Sequence, residues 1–312
     1  MLVTRLHRHK AADITATLCN IHAAHCYVKL NVYELQSDVD KLAGFLQRNR
    51  RLAVVTGAGI SVDSGIPAYR DGQGKWQSAQ PIQAADFMQR SAARQRYWTR
   101  SYYGWPTIRD ARPNAAHHAL ALLEPAGHIE LVITQNVDGL HQKAGSKHCL
   151  DLHGRVDRVV CMDCATVFPR ETIQRSLALN HSWPEPSGRE ARPDGDSELA
   201  TEPEHYCPEP LCPECGGTLT PDVVFFGGSI PRERVARCQH AIERAEALLV
   251  IGSSLQVFSG YRLCRQAAGA GKPIALVNPG EGRADDLAQL RLRSPAGPLL
   301  TALIERTQGS SQ

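Results

Sequence analysis

The run Thr134-Gln135-Asn136-Val137-Asp138-Gly139-Leu140-His141 places amide, carboxylate and imidazole side chains directly after an apolar stretch, and Leu152-His153-Gly154 adds a second imidazole soon after. Amides and a carboxylate at a strand end can hold a sugar and a carboxamide. An imidazole, which titrates near neutrality, can take the proton of a hydroxyl. His153 alone reads most simply as a core histidine bonded to a carbonyl; its place between Leu and Gly, just ahead of a cysteine pair, favours a base. His141, His117 and His118 lack that setting and are expected to be structural.

Two Cys-x-x-Cys knuckles follow, Cys161/Cys164 and Cys212/Cys215. Four thiolates close a tetrahedral Zn²⁺ site, and with every position filled by Cys the metal is structural, because catalytic zinc keeps a place open for water. Such a metal replaces a core too small to hold the segment alone. The 47 residues between the knuckles exceed a simple ribbon, and the stretch from His181 to Pro210, rich in Pro, Glu, Gly and Ser, reads as a solvated loop. Cys207 lies there without a knuckle partner and is expected to be a free thiol.

These groups need a scaffold. Leu52-Ala53-Val54-Val55 leads into Thr56-Gly57-Ala58-Gly59-Ile60-Ser61, a strand, glycine turn and helix start. Glycines there let the backbone approach a diphosphate, and a helix N-terminus offers it free N–H groups. The dinucleotide pattern is incomplete, since Val62 stands where the strict form has its third glycine, so an ordinary strand-turn is an equal reading. Further apolar strands are expected at 129–134, 247–251 and 273–277, with helical patterns at 234–245 and 261–270 between or after them. Gly252-Ser253-Ser254 and Asn278-Pro279-Gly280 end two of those strands, where open α/β sheets bind ligands. The expected fold is α/β, a Rossmann-like doubly wound parallel sheet with a smaller zinc-binding module, about 155–220, inserted in a catalytic domain of residues 35–312. Ser37 is expected to cap a helix with Val39, Leu42, Phe45 and Leu46 on one face, ending at Asn49. Residues 1–34 are expected to be a poorly ordered extension; the basic run around Arg5, Arg8 and Lys10 makes a mitochondrial presequence the competing reading.

A chain of 312 residues, 42% hydrophobic, can bury a full core, and a formal charge of +3 is too small an excess for a nucleic-acid binder. The loop between the knuckles carries Glu185, Glu190, Asp194, Asp196, Glu198, Glu202 and Glu204, the wrong sign for a zinc ribbon on nucleic acid. No run is long and apolar enough for a membrane span. Ten cysteines, four of them in knuckles, point to a reducing compartment, expected to be the cytoplasm, with the mitochondrial matrix as alternative.

The motifs Gly57-Ala58-Gly59-Ile60-Ser61, Gly65-Ile66-Pro67-Ala68-Tyr69-Arg70, Thr134 to Asp138, Leu152-His153-Gly154, the four cysteines, Val223-Val224-Phe225-Phe226-Gly227, Gly252-Ser253-Ser254-Leu255 and Asn278 together resemble the sirtuins, NAD-dependent protein-lysine deacylases, from about Val39 to Ile304. The stretches Arg94 to Trp98, Gly104-Trp105-Pro106 and Ser254 to Arg262 are similar to class II, which holds the mitochondrial lipoamidase-type sirtuin and its bacterial relatives. Ala68 departs from the Asp of many members, and Gly228 from the acid that usually follows Phe-Gly.

The resemblance implies one structural Zn²⁺ and one NAD, the latter held by Gly57, Ala58, Gly59, Ser61, Ile66, Tyr69, Arg70, Gln135, Asn136, Val137, Asp138, Gly252, Ser253, Ser254, Asn278, Pro279, Gly280 and Ala296. Gln135, Asn136 and Asp138 would surround the nicotinamide ribose and carboxamide, Asp138 accepting from the amide NH₂ and Ile66 walling the pocket. His153 would be the general base that takes a ribose hydroxyl proton, giving free lysine, nicotinamide and 2′-O-acyl-ADP-ribose. An acyl-lysine protein segment would lie as an added strand between Val224-Phe225-Phe226-Gly227 and Ser254-Leu255-Gln256, with Val224, Phe226, Gly227 and Leu255 as substrate contacts. Tyr97 and Arg100 resemble the Tyr-x-x-Arg pair with which succinyl- and glutaryl-selective members hold a distal carboxylate. A mono-ADP-ribosyltransferase on the same NAD site is the alternative activity, and a monomer is expected.

Overall fold

The computed structural model describes residues 32–70, 81–181, 183, 189–199 and 206–309. Most of the expected N-terminal extension, residues 1–31, therefore lies outside the described residues. The first described element is a helix over residues 32–48 (α1), which passes through Ser37 instead of starting there. Its end is where the sequence puts it: Asn49 donates from both its backbone N–H and its Nδ2 to the Phe45 carbonyl, at 3.0 and 2.9 Å.

In chain order the strands are β1 (Leu52–Thr56), β2 (Ile129–Thr134), β3 (Cys149–Asp151), β4 (Gly154–Cys161), β5 (Val167–Pro169), β6 (Arg189–Ala191), β7 (Ser197–Leu199), β8 (Leu219–Val223), β9 (Ala247–Ile251), β10 (Ile274–Val277) and β11 (Leu290–Leu292). The helices after α1 are α2 (Ala84–Gln89), α3 (Ser91–Asp110), α4 (Ala115–Leu123), α5 (Leu140–Lys143), α6 (Arg170–Asn180), α7 (Arg232–Arg244), α8 (Phe258–Gly269) and α9 (Ala296–Gly309). The main sheet is parallel, in the order β11-β10-β9-β1-β2-β3. Successive residues of its strands point to opposite faces, and both faces are covered, which is why the central strands β1, β9 and β10 are almost wholly apolar. Leu52, Val54, Leu249 and Val277 pack under α1, α4 and α9 through Leu42, Leu120 and Leu299. Ala53, Val55, Val250 and Leu276 pack under α7 and α8 through Ile242 and Leu263. Each such Val, Leu or Ile side chain contributes roughly 1.5–3 kcal/mol on burial. The chain leaves β1 toward β2 on one side and builds β9 to β11 on the other, so a crevice opens at the C-terminal end of β1.

The smaller body is a second sheet, β5-β4-β8, antiparallel throughout, with α6 beside it. It extends beyond the 155–220 expected for it. Phe87 of α2 and Tyr97 and Trp98 of α3 share one core with Val159, Ile173, Leu177 and Leu219, because a metal can pin the knuckles but cannot cover the apolar face of a three-stranded sheet. The Arg170 guanidinium, almost fully buried, lies 5.4 Å from the Trp98 ring centroid and 5.6 Å from that of Trp105.

The loop expected to be solvated is not so in its described part. Arg189–Leu199 forms a β6–β7 hairpin closed by Arg192-Pro193-Asp194-Gly195-Asp196, with Arg192 N–H donating to the Asp196 carbonyl at 3.0 Å and Gly195 at φ +77°. Arg192, Asp196, Ser197 and Leu199 are buried. The turn lies against α3 so closely that a Cβ on Gly104 would come within 2.4 Å of the Gly195 carbonyl oxygen, so glycine is needed there.

His117 and His141 are structural, as expected. They are buried edge to face, 4.9 Å between ring centroids, with His141 Nε2 2.9 Å from Thr56 Oγ1. Burial lowers both, His117 to about 4 and His141 to about 3. Both are neutral in the folded protein and become charged in the unfolded chain near pH 6.5. Their contribution to stability is therefore complete above about pH 6.5 and is lost as pH falls toward 4. Urea unfolding of His141→Gln should show a shallower loss of stability between pH 6.5 and 4.5 than wild type; equal slopes would refute this. Among the described residues no helix is long and apolar enough to cross a membrane.

Candidate active site

One cavity of about 1170 Å³ opens at the crevice and runs between the two bodies. At its floor the ends of β1 and β9 meet backbone to backbone. Gly59 N–H donates to the Gly252 carbonyl at 2.8 Å, a Cβ on Gly57 would lie 2.7 Å from Ser253 Cβ, and one on Gly252, at φ +60°, would lie 2.3 Å from Ile60 N. The glycines thus serve first to join two loops. Gly57 caps and Gly59 lies within a 3₁₀ helix, Ala58–Ser64, in place of the α-helix start expected from the sequence. Gly252→Ala should cost at least about 2 kcal/mol in urea unfolding, from left-handed strain and the clash together. A loss below about 0.5 kcal/mol would show that the loops can part.

The β2 end supplies the polar wall. Gln135 Nε2 donates to Ser253 Oγ at 2.8 Å, and Gly260 of α8 leaves room for that amide, since a Cβ there would lie 2.6 Å from Gln135 Oε1. Asn136 Nδ2 donates to the Gly57 carbonyl and to Ser61 Oγ, at 3.1 and 3.0 Å, and Ser61 Oγ donates to Asp138 Oδ2 at 2.7 Å. Asp138 Oδ1 accepts from Leu140 N–H at 2.9 Å. Burial raises the Asp138 carboxyl despite these donors.

His153 stands where β3 of the main sheet gives way to β4 of the smaller one. Its Nδ1 is 2.9 Å from the Gln135 carbonyl and its Nε2 is 2.8 Å from Ser259 Oγ. A carbonyl only accepts, so Nδ1 carries the proton and Nε2 is the free base, accepting from Ser259. Burial lowers the His153 pKa, the Gln135 carbonyl opposes this, and the nearby Arg234 and Arg262 charges lower it further. The ring is therefore a neutral proton acceptor near pH 7. Gly154, at φ +85°, is required next to it, because a Cβ there would meet the Asp222 carbonyl oxygen of β8 at 2.0 Å. The chain after β8 is tied back by Val224 N–H donating to the His153 carbonyl at 2.8 Å.

Of the residues expected to bind NAD, Gly57, Ala58, Gly59, Tyr69, Arg70, Gln135, Asn136, Val137, Gly252, Ser253, Ser254, Asn278, Pro279, Gly280 and Ala296 line this cavity. Ser61, Ile66 and Asp138 lie one layer behind the wall, where Ser61 and Asp138 brace Asn136. Asp138, expected to meet a carboxamide directly, does not line the cavity, and its two oxygens each accept one hydrogen bond from the protein. Asn278 Nδ2 donates to the Gly280 carbonyl at 2.9 Å, shaping the turn after β10, and Ala296 opens α9 at the far end of the cavity. Length, polar ends and paired glycine loops fit a dinucleotide.

Val224, Phe226, Gly227 and Leu255 line the same cavity, as does Tyr97. Leu255 sits at φ +57° with its side chain buried, so it is its backbone that faces the groove. Arg100 does not line the cavity and is a correction. It is buried behind the wall, with Nε donating to Asp196 Oδ1 at 3.0 Å and to the Ser197 carbonyl at 2.9 Å. The sequence offers no sign of a partner 96 positions away in a loop that reads as solvated. Nor does the sequence mark Ser259, 106 positions from His153, or Pro193, Asp194 and Asp196, which border the cavity, as site residues.

The four knuckle sulfurs all lie within 4.8 Å of one another, with Cys161 to Cys215 at 3.5 Å and Cys164 to Cys212 at 3.7 Å. Tetrahedral zinc with bonds of about 2.3 Å sets its sulfurs roughly 3.8 Å apart, so the set fits one Zn²⁺. Cys207 stands apart, buried, with Thr99 Oγ1 donating to its Sγ at 3.2 Å.

The sequence profile of the Sir2 family matches residues 57–259. An NAD-dependent protein deacetylase of Bordetella bronchiseptica is 50% identical over 269 residues, covering 86% of this chain and 98% of that protein. One of Xanthomonas campestris pv. campestris (strain 8004) is 50% identical over 273 residues, covering 84% and 93%. Among solved structures, a Sir2 protein with a p53 peptide and NAD⁺ has a TM-score of 0.70 at 29% identity, covering 87% of this chain and 98% of that one. A Sir2 homologue in complex with NAD has a TM-score of 0.69 at 28% identity, covering 88% and 95%.

Proposed function

The chain belongs to the Sir2 family, and from that premise we propose that its cavity removes acyl groups from protein lysines at the expense of NAD, with His153 as the general base. It is an NAD-dependent protein deacylase that passes the acyl group to ADP-ribose. The observation that carries the assignment of the base is the tautomer of His153, whose Nδ1–H is held by the Gln135 carbonyl while Nε2 points to Ser259 at the cavity.

NAD, when bound, supplies the ribose that accepts the acyl group and releases nicotinamide. Gln135 and Asn136 hold the sugar and carboxamide end, and Ser61 with Asp138 keeps Asn136 in place from behind. His153 Nε2 takes the proton of a ribose hydroxyl, and Ser259 turns its own proton toward Nε2 until a substrate hydroxyl replaces it. The substrate lies as an extended strand between Val224-Phe225-Phe226-Gly227 and Ser254-Leu255-Gln256. The Val224 N–H is committed to His153, which leaves the Val224 carbonyl to accept the lysine Nε–H. The four cysteines hold one structural zinc. Zinc thiolates suit a reducing cytoplasm.

Incubating the protein with NAD and acyl-lysine peptides, followed by mass spectrometry, should give nicotinamide, free lysine peptide and acyl-ADP-ribose in equal amounts. Nicotinamide release with ADP-ribose left on the peptide would instead identify a transferase.

A further inference from the structure

The β6–β7 hairpin puts a turn of the inserted loop on the cavity wall, where Pro193, Asp194 and Asp196 border the same space as Tyr69 and Tyr97. Tyr-x-x-Arg in α3 would present a guanidinium to a carboxylate on the substrate, but here the protein's own carboxylate holds it. Asp196 accepts from Arg100 Nε at 3.0 Å and pairs with Arg100 and Arg192 through Oδ2, at 3.0 and 3.4 Å. Asp194 Oδ1 accepts from the Asp196 N–H at 3.2 Å, and its carboxylate is hydrogen-bonded to Tyr69. Burial, and then the neighbouring Asp194, hold the Asp196 carboxyl above the ordinary carboxylate range even with two guanidinium groups beside it. The two guanidinium groups beside Asp196, Arg100 and Arg192, are thus already paired with a carboxylate of the protein itself.

Resting on the deacylase reading of the cavity, we propose that Asp196, with Asp194, is a specificity determinant that occupies Arg100 from within and restricts the acyl channel to uncharged acyl groups, excluding those that end in a carboxylate. Discrimination of this kind works by repulsion and by denying a partner, and it needs no contact with the favoured acyl chain.

The test compares glutaryl-lysine with hexanoyl-lysine, similar in reach and different in charge, on one peptide in the full-length zinc-loaded protein. Wild type should turn over hexanoyl-lysine at least about tenfold better in kcat/KM, and fluorescence anisotropy without NAD should show the same order of binding. Asp196→Asn should shift the glutaryl-to-hexanoyl ratio at least about tenfold toward glutaryl by releasing Arg100. Adding Arg100→Met to it should abolish that gain. Should Asp196→Asn fail to fold, Asp194→Asn, which keeps the Arg100–Asp196 pair, decides through the same ratio, with a smaller shift in the same direction. A wild-type ratio near one, or a ratio that folded variants leave unchanged, overturns the proposal. Absence of NAD-dependent turnover on acetyl- and hexanoyl-lysine alike would instead overturn the deacylase reading.

Discussion

Replacing His153 by alanine should lower product formation at least about 100-fold, the usual scale for loss of a general base, while NAD binding stays within a few-fold of wild type. The ring meets Gln135 through that residue's backbone carbonyl, whereas the side-chain bonds that shape the sugar pocket, Gln135 to Ser253 and Asn136 to Ser61, are made without it. The same ring predicts the acid side of the pH profile. Its pKa lies below the ordinary imidazole value, and the neutral form is the active one, so activity should hold below pH 6.5 and fall only as pH passes the lowered value. Single-turnover deacylation across pH 5–8 measures both. Near wild-type rates in His153→Ala would mean that another group takes the proton, and a midpoint above 6.5 would mean that the ring is not desolvated.

Removing the zinc should abolish activity altogether. Apparent binding free energies of structural zinc, about 10–16 kcal/mol, match or exceed the whole stability of an ordinary domain, about 5–15 kcal/mol. Loss of the metal should release β4 and β8, and with β8 the Val224 to Gly227 segment proposed to hold the substrate. Elemental analysis should find about one zinc per chain. Strong chelation should then bring proteolysis within the smaller body together with loss of turnover. Active protein holding less than about half an equivalent would exclude the role.

What the sequence made legible follows from what forces each element. β1, β2, β9 and β10 are buried on both faces, so their apolar runs had no competing explanation and their bounds were found almost to the residue. The knuckles were legible because few arrangements other than a metal need two thiol pairs at that spacing. Ser37 misled because a good cap residue on an exposed helix position looks the same from sequence as one at its start. Gly57 and Gly59 were read for the ligand they admit, yet each also answers to Gly252 or Ser253 nearly 200 positions on, a constraint that local pattern cannot express. The hairpin is the least legible element: Pro, Gly and acidic residues read as a solvated loop, and it takes Arg192, Arg100 and the Ser197 N–H, none of them recognisable locally, to make burial of Asp196 tolerable.

The short bond from Val224 N–H to the His153 carbonyl bears on how the enzyme tolerates its own breathing. His153 lies at the seam between the two sheets, where any rocking of the zinc-bearing body against the larger one would be felt first. The His153 backbone is bonded to the substrate strand while its ring is bonded to Gln135 and Ser259 of the larger body, so such rocking would change the spacing between Nε2 and the target lysine. Motion that opens the cleft for release of product would detune the base until the cleft closes again, so proton transfer belongs to the closed arrangement alone.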